Sequence, residues 1–498
     1  MATITVDGKE IQAKENALLI EELLANDINI PHFCYHPALG KDGNCRMCMV
    51  EIEGKKRPQI ACDTPVKNGM VIRTKSENIE RVKRSILELE LINHPIDCPI
   101  CDQAGECSLQ NYYMDVGLYE SRLQTPKTHA KKHVDIGANV VLDQERCVLC
   151  TRCVRFTKNI TKTNELGVLN RSDHSVITTF PNHPLSNPYA MNVVDLCPVG
   201  ALTSKDFRFN KRVWFLEPDN GICNGCARGC NIFVDHHQAK YEEDIIFRYR
   251  PRFNALVNGY FICDYGRLSY KKENESLSSK PLIRGKESEY EYSMMKILRL
   301  LKHHYGNTSF VISASLSLEQ MYALKKMAYR YDANLYAYNE NYDENFGDDF
   351  LKVNDKETNR KSIKLLGINE SKEDLYEGIK KSELLVFIGR CDILLEEEKT
   401  VVCISPYPPS EREVDVYLPI LSHTHVSGTY INCEGIVQFH TSKIKNSGDI
   451  KSLLELISFY TEINHSTCKE IWEEGLGELM GEITLEKLKL ESIKLGFA

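Results

Sequence analysis

The sequence predicts a multidomain protein of α+β and α/β class, in which small cysteine-rich modules precede a layered α/β domain. Three observations carry this expectation. The chain has 498 residues, more than one compact core accommodates. Of its 19 cysteines, those from Cys34 to Cys263 fall into four groups, while Cys391, Cys403, Cys433 and Cys468 are scattered. From about Lys280 onward helical and strand patterns alternate, which is the mark of a mainly parallel sheet.

Composition narrows the function classes. Hydrophobic residues make up 42% and charged residues 27%, the balance of an ordinary globular protein. A net charge of -8 gives no reason to expect nucleic acid or an anionic membrane surface as a partner. No apolar run approaches the roughly 18 residues a spanning helix needs. The first residues have neither the basic start nor the apolar core of a signal peptide, so a cytosolic location is expected unless a partner holds the chain at a membrane. Disulfides are not maintained in a reducing compartment. The grouped cysteines therefore read as metal ligands, and the four scattered ones as small buried residues.

Taken in order, residues 4–6 and 9–13 form a predicted hairpin about Asp7 and Gly8. Residues 18–24 follow as a short helix, with Leu18, Leu19, Ile20, Leu23 and Leu24 on its apolar face. A loop then carries Cys34, Cys45 and Cys48, a strand follows at 49–52, and Cys62 lies beyond it. The spacing is C-x10-C-x2-C-x13-C. Strands flanking a helix, with the cysteines in the loop, suit a β-grasp, plant-type ferredoxin module binding [2Fe–2S]. The match is to that layout, since the plant-type loop has four residues before the close pair rather than ten. A zinc ribbon normally offers two close cysteine pairs, and here there is one. A Rieske site at His36 would need a second histidine beside Cys45 and Cys48, where none stands.

Residues 78–91 read as a helix, with Ile79, Val82, Ile86 and Leu89 at helical spacing. It leads to His94, Cys98, Cys101 and Cys107, an H-x3-C-x2-C-x5-C set. Taken alone, three thiolates and one imidazole suit structural zinc as well as a cluster. Pro95 and Pro99 are expected to keep this backbone extended, and Gly105 to permit a tight return. The polar connection 121–132 is expected to leave its lysines and histidines in solvent. Cys147, Cys150 and Cys153, at x2 intervals, can wrap three corners of a cubane. The fourth ligand characteristically comes from a distant cysteine followed by proline, which Cys197 and Pro198 supply after 43 intervening residues. Cys223, Cys226, Cys230 and Cys263 form a fourth set, C-x2-C-x3-C-x32-C, that again fits [4Fe–4S]. Gly225 and Gly229 permit a close bend around it. His236 and His237 are expected at the surface rather than as ligands.

In the last part, Met294, Ile297, Leu298 and Leu301 mark a helix and residues 310–313 a strand. Ser317 and Gln320 form a capping box at the start of another helix. Residues 373–381 read as helix, and 384–388 and 401–404 as buried strands. Residues 338–360 are polar and acidic, the pattern of a long loop or a partly ordered insertion. No phosphate-binding glycine fingerprint follows a strand, for Gly475, Gly477 and Gly481 sit in a helical context, and no Walker loop or catalytic triad is present.

The order of the four sets resembles the large iron–sulfur subunit of proton-pumping NADH:quinone oxidoreductase, the G-subunit family of complex I. The resemblance is specific across residues 1–270 and continues at 281–284 and 428–438, the latter similar to a segment shared with molybdopterin oxidoreductases. It implies one [2Fe–2S] cluster on Cys34, Cys45, Cys48 and Cys62. It implies three [4Fe–4S] clusters, on His94, Cys98, Cys101 and Cys107, on Cys147, Cys150, Cys153 and Cys197, and on Cys223, Cys226, Cys230 and Cys263. In the family the His-ligated and Cys147-type clusters lie on the wire from flavin to quinone, the [2Fe–2S] site is near the flavin end, and the Cys223-type cluster lies off the path. The family usually has two glycines where this chain has Ala104 and Gly105. Tyr265 stands where pterin enzymes typically carry lysine, and Ile436 where the shared segment usually has arginine.

Those departures, and a C-terminal part of about 220 residues, imply a reduced, non-catalytic molybdopterin-oxidoreductase-like α/β domain without molybdopterin. The implied domains are 1–78, 79–133, 134–212, 213–275 and 276–498. The implied function is electron transfer from a flavin- and NADH-side partner, or a substitute donor, toward quinone, with no catalytic residue in this chain. The implied partners are the other peripheral-arm subunits, with the membrane arm reached indirectly and no nucleic acid. The implied location is peripheral, on the cytoplasmic side of the bacterial inner membrane. The competing readings are the electron-wire subunit of an NAD-linked hydrogenase, and a catalytic hydrogenase or formate dehydrogenase. A catalytic hydrogenase needs a further constellation with adjacent cysteines, and the late cysteines are isolated.

Neutral imidazole in place of thiolate lessens the negative charge of a cluster site and raises its potential. His94→Cys is therefore expected to keep a cluster and lower its midpoint in an EPR-monitored redox titration. An unchanged or raised midpoint would remove His94 from the ligand set.

Overall fold

A computed structural model describes all residues except 118–119, 123, 173, 278, 339–340, 390–398, 410–413, 447 and 496–498. The chain divides into two compact units, Met1–Phe215 and Leu216–Ala498.

In the first unit, strands Ala2–Val6 and Lys9–Ala13 pair antiparallel. The turn between them places Asp7 at φ 50° and Gly8 at φ 84°, the left-handed pair that matches strand twist in a two-residue hairpin. Val71–Arg73 runs parallel to the first strand, Met49–Ile52 pairs with it antiparallel, and Gln59–Ile60 completes a five-stranded mixed sheet. Helix Leu19–Ala25 buries Leu19, Ile20 and Leu23 in one core with Ile4, Val50 and Ile72 from that sheet. Helix Glu77–Leu91 starts where Ser76 Oγ accepts from the Ile79 N–H at 3.1 Å, and it delivers the chain to the second cysteine loop.

Two expectations in this region are corrected. Cys98–Ile100 is a turn of 3-10 helix rather than an extended segment. Pro99 sits at its first turn, where the N–H that proline lacks has no intrahelical partner anyway. Nor are the lysines of 121–132 simply solvated: Lys127 Nζ donates to the carbonyls of Leu91 (2.7 Å) and His94 (2.6 Å), and Lys132 pairs with Glu145 at 2.7 Å.

The second unit opens with an antiparallel sheet of Glu217–Ile222, Asn231–Gln238 and Asp244–Pro251. Its larger sheet has seven strands. Val416–Pro419, Thr400–Ser405, Leu384–Ile388, Thr308–Ser313 and Asn334–Tyr338 lie side by side and parallel. Every residue of Leu384–Ile388 is buried because both faces are covered. Leu384, Val386 and Ile388 join a core with Ile297 and Leu324, while Leu385 and Phe387 join another with Leu375 and Ile379. This two-sided burial is why the strand reads as a continuous apolar run rather than an alternating one. Ser317 and Gln320 form the expected reciprocal capping box at helix Leu318–Arg330. Residues 341–359 form a loop closed by a bridge between Tyr342 and Asp355. All described cysteines are free. Cys403 is buried, Cys433 and Cys468 are only partly so, and Cys391 lies outside the described residues. Among the described residues no helix is long and apolar enough to cross a membrane.

His236 is not at the surface. Strand Asn231–Gln238 carries it inward to 2% exposure, with Nδ1 2.8 Å from Asp244 Oδ1 and Nε2 3.5 Å from Asp219 Oδ2. Burial disfavours its charge, but the two carboxylates outweigh burial and push the pKa up to about 9. Unfolded imidazole titrates near ~6.5. Because the folded value is the higher one, the stabilisation is complete below about 6.5 and is lost as pH rises through about 9. In a Trp214→Phe background, urea unfolding followed through buried Trp472 should show stability falling across that window, and His236→Gln should flatten the fall.

Candidate iron–sulfur sites

The first cysteine loop leaves the sheet-bound helix and bends through left-handed residues, Gly40 at φ 67°, Gly43 at φ 76° and Arg46 at φ 53°. Cys34, Cys45, Cys48 and Cys62 are all buried. Their thiols meet directly, Cys34 with Cys45 and Cys62, and Cys48 with Cys62. The Gly43 and Cys45 N–H groups point at the Cys34 sulfur. His36 is engaged locally, its Nδ1 accepting from the Ala38 N–H at 3.2 Å.

Two arginines that the cysteine spacing did not single out pin this loop. Arg152 donates to the Tyr35 carbonyl at 2.6 Å, and Arg155 to the carbonyls of Gly40 (2.9 Å), Leu39 (3.2 Å) and Cys34. Both come from the short helix Arg152–Arg155, which also carries Cys153. The available signal was their place beside Cys153, where an arginine serves one loop's sulfur and a neighbouring loop's carbonyls together.

His94, Cys98, Cys101 and Cys107 line one small cavity. His94 Nδ1 is buried without a hydrogen-bond partner. Burial, reinforced by Arg146 and Lys127, holds the His94 imidazole down to about 4, so it is neutral and offers a lone pair. Burial pushes the Cys107 thiol up to about 11 and raises Cys101 as well. Arg146 stands in the cavity wall, bonded to Asp97 (2.7 Å) and Asp143 (2.6 Å). Gly200 closes the site from the segment after Cys197. A Cβ there would lie 2.4 Å from the Cys101 sulfur, so only glycine lets the two segments meet.

Cys147, Cys150, Cys153 and Cys197 line a second small cavity. The loop curls through Leu149 at φ 49° and Thr151 at φ 61°, positions that L side chains rarely adopt. That curl aims the Leu149 N–H at the Cys147 sulfur (3.4 Å), while the N–H groups of Val199, Ala201 and Leu202 surround Cys197. Burial raises every thiol of the set, Cys150 to about 12.

In the second unit, Gly266 brings Cys223 and Cys263 together: its Cβ would lie 2.7 Å from one sulfur and 3.4 Å from the other. The Gly266 N–H donates to the Cys263 sulfur at 3.3 Å. The Cys223 N–H donates to the Cys230 carbonyl at 2.8 Å, closing the loop that holds Cys226. Residues 428–438 clamp that loop. Cys433 N–H donates to the Ala227 carbonyl (2.8 Å), Asn432 to that of Arg228 (3.2 Å) and Gln438 to that of Gly229 (3.0 Å), and Arg228 pairs with Glu434.

Buried thiols stay protonated unless a metal compensates the thiolate charge. Sulfurs gathered in groups of four, or of three with a neutral imidazole, and N–H groups aimed at them suit iron–sulfur clusters. These features define an iron–sulfur protein.

Comparison with known proteins agrees. Residues 1–77 match the 2Fe-2S iron-sulfur cluster binding domain. Residues 83–122 match the NADH-ubiquinone oxidoreductase-G iron-sulfur binding region, and residues 137–203 the ferredoxin-like domain of NADH-quinone oxidoreductase subunit 3. The G subunit of NADH-quinone oxidoreductase from Streptomyces coelicolor is 36% identical over 337 residues, 66% of this chain and 39% of that protein. The same subunit from Rickettsia conorii is 35% identical over 345 residues, 68% of this chain and 50% of that protein. A solved NAD+-reducing [NiFe]-hydrogenase in the H2-reduced state has a chain 31% identical, covering 43% of this chain and 91% of that one, with a TM-score of 0.39. The chain thus spans half or less of the length of these curated relatives. It belongs to the G-subunit family of NADH-quinone oxidoreductase.

Gly200→Ala is expected to drive a methyl group into the Cys101 sulfur and to cost the His94-set cluster alone. Iron per chain should fall by about four, with the signals of the other sets retained; undiminished iron would show that the close approach is not required.

Proposed function

We propose that the chain is the electron-transfer subunit of a respiratory NADH:quinone oxidoreductase, passing electrons from a flavin- and NADH-side partner toward quinone. Proton pumping is then a property of the whole complex, and no residue of this chain is catalytic. The observation that carries this reading is the convergence of the second and third donor sets, each on one cavity, in a chain of that family.

Cys34, Cys45, Cys48 and Cys62 would hold [2Fe–2S]. His94, Cys98, Cys101 and Cys107 would hold a [4Fe–4S] cluster, as would Cys147, Cys150, Cys153 and Cys197, and Cys223, Cys226, Cys230 and Cys263. Such clusters supply one-electron exchange. The part of the protein is to hold and tune them. N–H groups offset sulfur charge, Arg146 sets a positive charge beside the His94 set, and the Arg152 and Arg155 clamp fixes the first loop against the third.

The finer architecture follows the same reading: a β-grasp [2Fe–2S] domain at 1–78, cluster domains at 79–133, 134–212 and 213–275, and a reduced molybdopterin-oxidoreductase-like domain at 276–498 that binds no pterin. The complex would sit on the cytoplasmic side of the bacterial inner membrane, with this chain peripheral.

Purifying the complex through this chain tests the reading. Iron near about fourteen per chain is expected from these cluster types, with a flavin-binding chain among the partners. Stoichiometric zinc would overturn the cluster assignment. A nickel-containing partner would transfer the chain to a hydrogenase, and a donor partner without a flavin- and NADH-binding fold would overturn the NADH half.

A further inference from the structure

Residues 342–358, polar and acidic in sequence, do not hang free of the second unit. The segment closes on itself, with Asp343 N–H on the Asn354 carbonyl (2.9 Å) and Lys356 N–H on that of Asn341 (3.0 Å). It then lies on the fourth cysteine loop. Ala227 N–H donates to the Asp355 carbonyl at 2.8 Å, Arg228 Nε to the Leu351 carbonyl at 3.1 Å, and Thr358 bonds to Asn224. Arg360 grips Asp355 through two bonds of 2.6 and 2.9 Å, fixing the end of the segment. Phe350 packs on Phe261, with ring centres 5.9 Å apart.

Two lysines of this segment gather where it meets the cysteines. Phe346 stands edge-on to Tyr265 at 5.0 Å, and a Cβ added at Gly225 would lie 3.4 Å from both the Tyr265 ring and the Cys223 sulfur. Lys356 Nζ sits over both rings, 5.0 Å from the centre of Tyr265 and 4.6 Å from that of Phe346. Lys352 Nζ sits 4.8 Å from the centre of Phe346 and 3.7 Å from Asp348. Of the other acidic groups, Asp355 is held by Arg360 and Glu434 by Arg228.

We infer that residues 342–358 are a cap on the Cys223–Cys263 cluster site, and that Lys352 and Lys356 hold the potential of that cluster up. The inference rests on the ligand set proposed above. Reduction adds one negative charge to a cluster, and a cation nearby in a poorly hydrated setting favours the reduced form. The Val353 N–H, which points at the Cys226 sulfur, works in the same direction. A loop that carries no regular element thus serves as the polar wall of a cluster site, more than a hundred residues along the chain from Cys226.

The test uses the whole complex in EPR-monitored redox titrations. Loss of one signal in Cys263→Ala first identifies the signal of this site. Lys352→Met and Lys356→Met, which keep the aliphatic stems over the rings, should each lower its midpoint, and the double variant should lower it further. The other clusters should not move, and arginine at both positions should restore the original value. A double variant with an unchanged midpoint overturns the inference. If Cys263→Ala removes no signal, the ligand set fails instead, and the cap loses its object.

Discussion

A buried thiolate is unstable unless something offsets its charge, and both units of this protein are shaped by that constraint. Single side chains do not suffice, so the loops bring backbone N–H groups to the sulfurs. Doing so forces the chain through left-handed conformations at Gly43, Arg46, Leu149, Thr151 and Gly229. At Arg46, Leu149 and Thr151 the residues are not glycine, and each such position costs on the order of 1–3 kcal/mol. The surrounding contacts must hold that strain in place. Arg155 does so for two loops together, for it reaches the Gly40 and Leu39 carbonyls from the helix that carries Cys153.

The sites of the first unit are interlocked. Gly200 belongs to the segment that returns from Cys197, yet it forms the wall of the His94 cavity. Ser108 N–H donates to the Pro198 carbonyl at 2.9 Å, and Asn44 donates to the Leu149 carbonyl at 2.8 Å. Backbone contacts and the Asn44 and Arg155 side chains thus tie neighbouring loops of the first unit together. In the second unit the parallel sheet buries both faces, and from it two segments extend back to the cysteine loop. Residues 428–438 grip the Ala227, Arg228 and Gly229 carbonyls, and residues 342–358 cover the same loop from another direction. The layered domain acts here as scaffold for a cysteine site.

The sequence by itself determined the hairpin about Asp7 and Gly8, the helix into His94, the capping box at Ser317 and the buried strand Leu384–Ile388. Each rests on local chemistry: turn geometry, capping or periodic burial, all expressed within a few residues. It also determined the grouping of the donors, because ligand spacing is local too. The tertiary structure alone decided which distant side chains complete those groups. Gly200 against Cys101, Arg152 against Tyr35 and the 342–358 cap are contacts between segments whose separation leaves no periodic signal. It also decided that His236 is a buried ion pair rather than a surface residue, because the carboxylates that make its charge stable inside, Asp219 and Asp244, come from the two flanking strands.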